Sequence, residues 1–293
     1  MVVAICGSSG LIGTAVKEAL EARDCRIVPV TRTDIACGSE HLKELLDGCD
    51  ALVNLAGVSI AGRWTEARKK EIYESRVLTT RRLVEAANTL EKPLADFITT
   101  SAVGIYDCIE VHDEFSTNYA SGFLADLCID WEHEALKIDA EKTRLTIFRL
   151  GVVLSASGGM LKKLLPLFRL GLGARFGKED FFMPWIHIDD VVKAIVGTIN
   201  KPIATGVYNL VAPEIVTNRE FTFQIAAAAG KKAHLTLPAK LVSLAMGESS
   251  QLVLEGQQVI PQRLLADGFE FSYPTLESAL RKELKGKTES KNL

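Results

Sequence analysis

The sequence predicts an α/β chain, with a doubly wound parallel sheet and a smaller, mostly helical C-terminal lobe. Three observations carry this reading. An apolar run at the N-terminus ends in closely spaced glycines and passes into a helical pattern. Strand-like and helix-like patterns then alternate as far as Ser155. Beyond that point the rhythm breaks, and from Asn218 onward helical spacing dominates. Repeated strand–helix–strand units build a parallel sheet with helices on both faces.

Each element follows from its pattern. Val2–Cys6 is apolar throughout, as a strand covered on both faces should be. Residues 11–22 carry apolar side chains at helical spacing, and Arg26–Val30 and Ala51–Asn54 read as further strands. A long helix over 65–90 is rich in charges that pair along its outer face. Residues 97–100 and 145–150 read as the fourth and fifth strands, with a helix over 123–136 between them. A helix is expected over 161–172, a strand end and helix over 187–200, and a strand over 207–210. Pro238, Pro261 and Pro274 mark boundaries in the last third. The expected division is a sheet domain at 1–155, rejoined by 185–210. A smaller lobe takes 156–184 and 211–285, and 286–293 forms a tail.

Composition narrows the function classes. The 293 residues are 47 % hydrophobic with a formal net charge of −3, so nothing suggests the basic stripe of a nucleic-acid binder. The six cysteines show no CxxC pair and no Cys/His metal spacing, which fits a reducing compartment and no metal site. No apolar run approaches the roughly 18–20 residues of a membrane span, and Val2–Cys6 is too short for a signal peptide. The expectation is a soluble, cytoplasmic protein acting on a small molecule.

Gly7-Ser8-Ser9-Gly10-Leu11-Ile12-Gly13 is a GxxGxxG turn between a strand and a helix, the Rossmann-type dinucleotide signature. Its first glycine permits the tight turn, its second lets backbone approach a pyrophosphate, and its third allows close helix–strand packing. Cofactor choice is made at the end of the second strand. An acid there binds a ribose 2′-hydroxyl, whereas a cation suits a 2′-phosphate. Here Thr31 and Arg32 precede any acid, the first being Asp34. A guanidinium matches phosphate geometry, so NADP(H) is the expected cofactor.

The glycine turn, Asn54-Leu55-Ala56-Gly57 and Ser101 after the fourth strand together resemble an extended short-chain dehydrogenase/reductase. Further segments narrow the resemblance to its atypical, nucleoside-diphosphate-sugar epimerase-like branch. They are Gly62-Arg63-Trp64, Ser75-Arg76, Trp131-Glu132, Pro184-Trp185-Ile186-His187-Ile188-Asp189-Asp190 and Glu255-Gly256-Gln257-Gln258-Val259-Ile260-Pro261. The resemblance implies that Leu55, Ala56 and Gly57 pass beneath the adenosine and phosphates. It places Arg76, with Glu71 on the same helix, toward phosphates or ribose, and Val152 near the nicotinamide. Dimers through the long helix are common in that superfamily, so a homodimer is a further expectation.

The superfamily's proton chemistry uses a tyrosine and a lysine four residues on, beside a serine or threonine. None of Tyr73, Tyr106, Tyr119, Tyr208 and Tyr273 has lysine at that spacing. Counting back from Trp131-Glu132 puts Leu124 and Cys128 in the two places. Ser101 alone survives, either as a catalytic hydroxyl or as a turn cap. Tyr106, five residues beyond it, and His187 are the other candidates for moving a proton, with buried structural roles as the alternative. Lys162, Lys163, Arg169, Arg175 and Lys178 lie among glycines and phenylalanines. That mixture suits an anionic, nucleotide-sugar-like substrate, or else a solvated loop. Arg149 is a second anion contact or a salt bridge. The reading is therefore an NADP(H)-binding oxidoreductase or epimerase, or a catalytically silent NADP(H) sensor.

Overall fold

The computed structural model describes residues 1–177, 180–200 and 205–285. The expected tail at 286–293 and Lys178 lie outside the described residues. Six strands form the main sheet: β1 Val2–Cys6, β2 Arg26–Val30, β3 Ala51–Asn54, β4 Asp96–Ala102, β5 Arg144–Leu150 and β6 Gly206–Leu210. Their order is β2-β1-β3-β4-β5-β6, with every neighbouring pair parallel.

Alternation along β1 shows why the sheet is buried twice. Val3 and Ile5 join a cluster with Val16, Leu20, Val191 and Ile195, from the Leu11–Glu21 and Ile188–Asn200 helices. Ala4 and Cys6 join Leu42, Leu46, Leu83 and Val84 on the other face. A strand with period-two side chains and helices on both sides has no polar face to offer. From β1 the chain steps outward to β2, then returns past β1 to β3. The loops at the carboxyl ends of β1 and β3 therefore diverge and leave a crevice between them.

The long helix is not uniform. Thr65 caps it, Glu66–Tyr73 is α-helical, Glu74–Leu78 widens into a π turn, and Thr79–Asn88 resumes the α-helix. At the widening, the Ile72 carbonyl accepts from Ser75 Oγ at 3.0 Å and from Arg76 Nη1 at 3.2 Å. The helix expected over 161–172 runs Gly159–Arg169, and β4 and β5 are longer than their patterns suggested.

A third apolar cluster lies beyond the sheet. It gathers Leu161, Leu165, Phe168, Phe221, Ile225, Leu276 and Leu280 around Trp185. Helices supply most of it, joined by Leu154 and Trp185 from the two-stranded ribbon of Val152–Leu154 with Trp185–His187. Two further ribbons, Ala174–Phe176 with Leu235–Leu237 and Val111–His112 with Gln258–Val259, lie outside that cluster. The seam to the sheet is close. A methyl group on Gly158 would stand 2.8 Å from Leu11 Cδ1. No helix among the described residues is long and apolar enough to cross a membrane.

Candidate functional site

The crevice opens on the glycine turn. Gly7 has φ of +82°, and a Cβ there would meet the Leu55 carbonyl oxygen at 2.7 Å. Gly13 is tighter still, since its Cβ would lie 2.1 Å from the Gly7 oxygen. Both glycines are dictated by the chain's own packing. Gly10 is not: its nearest obstacle is the Gly7 oxygen at 3.4 Å, and its φ of −77° suits any residue. Gly10 also provides no side-chain cap, and the first helical bond runs from Thr14 N–H to its carbonyl. The N–H groups of Leu11, Ile12 and Gly13 thus lack intrahelical acceptors and face the crevice end of the helix. Ser8 and Ser9 complete the turn, and the Ser8 carbonyl accepts a long bond from Thr14 Oγ1.

At the end of β2, Thr31 caps the Arg32–Cys37 helix in a reciprocal box. Its backbone N–H donates to Asp34 Oδ2 at 2.8 Å, and its hydroxyl accepts from the Asp34 N–H. Asp34 Oδ1 lies 2.9 Å from His41 Nε2. The Thr31 and His41 bonds hold this carboxyl down at about 2. The acid that could have received a ribose hydroxyl is therefore consumed locally. Arg32 is exposed and makes no ion pair or side-chain hydrogen bond among the described residues.

The loop after β3 forms the crevice's other lip. Leu55 N–H donates to the Cys6 carbonyl and Ala56 N–H to Asn54 Oδ1. Asn54 is fully buried and anchored to Thr80 and Thr99. A Cβ on Gly57 would strike the Arg76 guanidinium at 2.8 Å. Arg76 is turned inward, donating to the Val58 and Ile72 carbonyls with its guanidinium 5.5 Å from the Trp131 ring. Burial brings it down to about 10. Arg76 braces the lip rather than standing free for a phosphate, which corrects the sequence expectation. Glu71 does not pair with it, because Glu71 is bonded to Arg68 on the outer surface. Val152 is half-buried at the start of its ribbon, its N–H on the Pro184 carbonyl.

The proton-transfer candidates separate clearly. Ser101 lies near the carboxyl end of β4, 2 % exposed, and its Oγ has no oxygen or nitrogen partner. Its neighbour is the Cys128 thiol, which burial pushes up to about 12. Leu124 sits one turn earlier on the Phe123–Ala135 helix, 3.9 Å from where a Gly104 Cβ would stand. The two positions four residues apart on this helix are thus an apolar side chain and a neutral thiol.

Tyr106 and His187 are both buried and hydrogen-bonded within the chain. The Tyr106 hydroxyl donates toward the Asp113 carbonyl and Asn209 Oδ1, both at 2.9 Å, and accepts from Arg149 Nη1 at 2.7 Å. Burial, against the pull of Arg149, pushes it up to about 12. Arg149 itself is clamped in two bonds by Glu132 at 2.8 and 2.7 Å, so it is a buried ion pair rather than an anion contact. His187 is fully buried. Its Nδ1 accepts from the Asp189 N–H and its Nε2–H points at Glu283 Oε1, 2.9 Å away. Every polar atom on both side chains is engaged in holding the fold. Asp190 is buried and accepts the N–H groups of Ser272 and Tyr273.

On the substrate side the expected mixture of cations and aromatics is sorted apart. Phe168, Phe176, Phe181 and Phe221 line an apolar pocket with Met160 and Met183. Lys162, Lys163 and Arg169 point to solvent, and Arg175 pairs with Asp180. No cluster of three potential metal ligands occurs among the described residues.

Comparison with known proteins decides the family. The sequence profile of the NAD-dependent epimerase/dehydratase family matches residues 3–210. The chain belongs to this family. A second profile, a domain of unknown function (DUF1731), matches residues 237–283. Family relatives align over nearly the whole chain. Epimerase family protein Mb2239 of Mycobacterium bovis is 40 % identical, covering 95 % of this chain and 96 % of its own. Human epimerase family protein SDR39U1 is 37 % identical over 96 % of this chain and 99 % of its own. A crystal structure of human SDR39U1 isoform 2 with NADPH superposes with a TM-score of 0.90, at 34 % identity. It covers 97 % of this chain and 99 % of that one. Sequence reasoning placed the glycine turn correctly between the first strand and the first helix. It missed the inward turn of Arg76, for which the facing Gly57 was the available signal.

Proposed function

We propose that the protein binds NADP(H) across the β1–β3 crevice and serves as an NADP(H)-dependent oxidoreductase or epimerase on a small molecule. The observation that carries this is the end of β2, where Asp34 is used up in the Thr31 box and Arg32 stands unpaired beside the glycine turn. A planar cation there suits a 2′-phosphate, and the helix N–H groups of residues 11–13 suit the pyrophosphate. The NADPH held by the human relative supports the same assignment. When bound, the dinucleotide supplies hydride chemistry. This chain's residues supply the cradle, with Leu55–Gly57 as one lip and Val152 at the far wall.

A second reading is favoured by Leu124 and Cys128. With neither phenol nor ammonium in those places, the chain is also suited to sensing NADP(H) without turning it over. Titrating NADPH and NADH against wild type and Arg32→Asp tests the binding. NADPH should bind the wild type more tightly than NADH. The substitution should weaken NADPH by about 1–3 kcal/mol while leaving NADH nearly unchanged. Equal affinities in the wild type would overturn the assignment. A carbonyl and enone screen with NADPH, paired with a search for epimerised product from sugar nucleotides, then separates the two readings, since cofactor oxidation or epimerised product supports the enzyme and binding without either supports the sensor.

A further inference from the structure

Two stretches on the outer surface of the second lobe combine exposed cations with an absence of acids. Residues 159–177 and 229–247 contain no aspartate or glutamate at all, in a chain whose net charge is −3. The fold brings these two stretches side by side, because Ala174–Phe176 pairs in parallel with Leu235–Leu237. Lys162, Lys163, Arg169, Lys231, Lys232 and Lys240 are all exposed there, and none forms an ion pair among the described residues. Six lysines of the sheet half, by contrast, each sit against a carboxylate: Lys17, Lys69, Lys70, Lys92, Lys137 and Lys142. The acids bordering the second lobe's face are already engaged. Asp180 is on Arg175, Glu220 on Thr217 and Glu248 on Lys69.

Between the lysines the surface is hydrocarbon. Leu170 is 72 % exposed and Leu244 76 %, with Leu172, Leu235, Leu237 and Leu241 all above two-fifths. Cross-strand partners share a face, so Leu235 and Leu237 stand on the same side as Ala174 and Phe176. Those two also line the apolar pocket. Exposed leucines on this scale are rare on a soluble surface without a use.

We propose that this face docks the protein onto an anionic lipid bilayer. A bilayer boundary accepts protruding leucines without demanding a complementary shape, and its headgroups neutralise lysines that no carboxylate among the described residues reaches. The inference is independent of cofactor binding.

Flotation of the full-length protein with lipid vesicles tests it. Vesicles of phosphatidylcholine with about one-third phosphatidylglycerol should carry the protein upward, and pure phosphatidylcholine should not. Each lysine near such a surface is worth roughly fivefold in affinity. Lys231→Glu with Lys232→Glu should therefore lower binding at least ~25-fold, and high salt should reduce it as well. Leu241→Asp with Leu244→Asp should abolish it. Circular dichroism and NADPH titration on the same samples establish that the variants remain folded. Equal binding to both vesicle types, or variants that float like the wild type, would overturn the proposal. So would a wild-type dimer that the leucine variant converts to monomer without vesicle binding, since a second copy would then cover the face.

Discussion

At the scale of single residues, the three glycines of the turn do different work. Gly7 and Gly13 are fixed by contacts inside the chain, at 2.7 and 2.1 Å from backbone oxygens, whereas Gly10 has room for a methyl group. A glycine that the fold does not require points to something outside it. Gly10→Ala should keep the melting temperature of the wild type yet weaken NADPH binding at least ~tenfold, because its Cβ stands where the pyrophosphate approaches. Gly13→Ala should instead destabilise the fold by about 1–3 kcal/mol, as forced overpacking does. Thermal denaturation paired with NADPH titration reads both, and a destabilised Gly10→Ala would refute the distinction. Such local constraints were legible in the sequence, since spacing and flanking pattern suffice to place the turn. Tyr106 and His187 were not. Their partners Asn209 and Glu283 lie 103 and 96 residues away, and only the folded chain shows their hydrogen bonds filled.

At the scale of elements, the helix starting at Arg32 ties cofactor choice to local folding. Thr31 and Asp34 cap it reciprocally, and the pattern Thr-x-x-Asp was present in the sequence, though it read as an acid arriving late rather than an acid already used. Asn in place of Asp34 should cost about 1 kcal/mol of stability at neutral pH. The folded carboxyl titrates at about 2, below its ordinary 3.8. Its stabilisation is therefore fully present above pH ~4 and is lost as pH falls through about 2. Urea denaturation at neutral pH and near pH 2 should show the gap between wild type and Asp34→Asn closing on acidification. A constant gap would contradict it. The long helix gives the opposite lesson: its charge pattern predicted the element, but the π turn depends on Ser75 and Arg76 reaching the loop at Val58. No periodicity encodes that.

At the scale of the whole molecule, a few carboxylates fasten the C-terminal stretch to the sheet. Asp190 holds the backbone at Ser272 and Tyr273, and Glu283 joins His187 to the Ala156 N–H. Burial raises Glu283, but the His187 and Ala156 bonds outweigh it and keep the carboxyl below its usual range. Glu283→Gln should lower the melting temperature at neutral pH by about 2–8 °C, as loss of a charged, partly buried hydrogen bond does. That difference should shrink as acid protonates the wild-type group, and scanning calorimetry across pH checks it. The strand order came only with the structure, whereas fold class was legible because alternation and parallel crossovers leave few topologies. The sorting of phenylalanines inward and lysines outward around 159–177 was not, because one stretch of sequence serves both faces of a helix and ribbon.

Gly158 lies against Leu11, close enough that a methyl group could not fit between them. The first apolar residue after the glycine turn is thus wedged beneath the entry to the second lobe. Opening the molecule at that seam would strip Leu11 of its cover, and the exposed hydrocarbon sets a cost against hinging there. Whatever enters the crevice meets, on that side, a wall held by the packing of the second lobe.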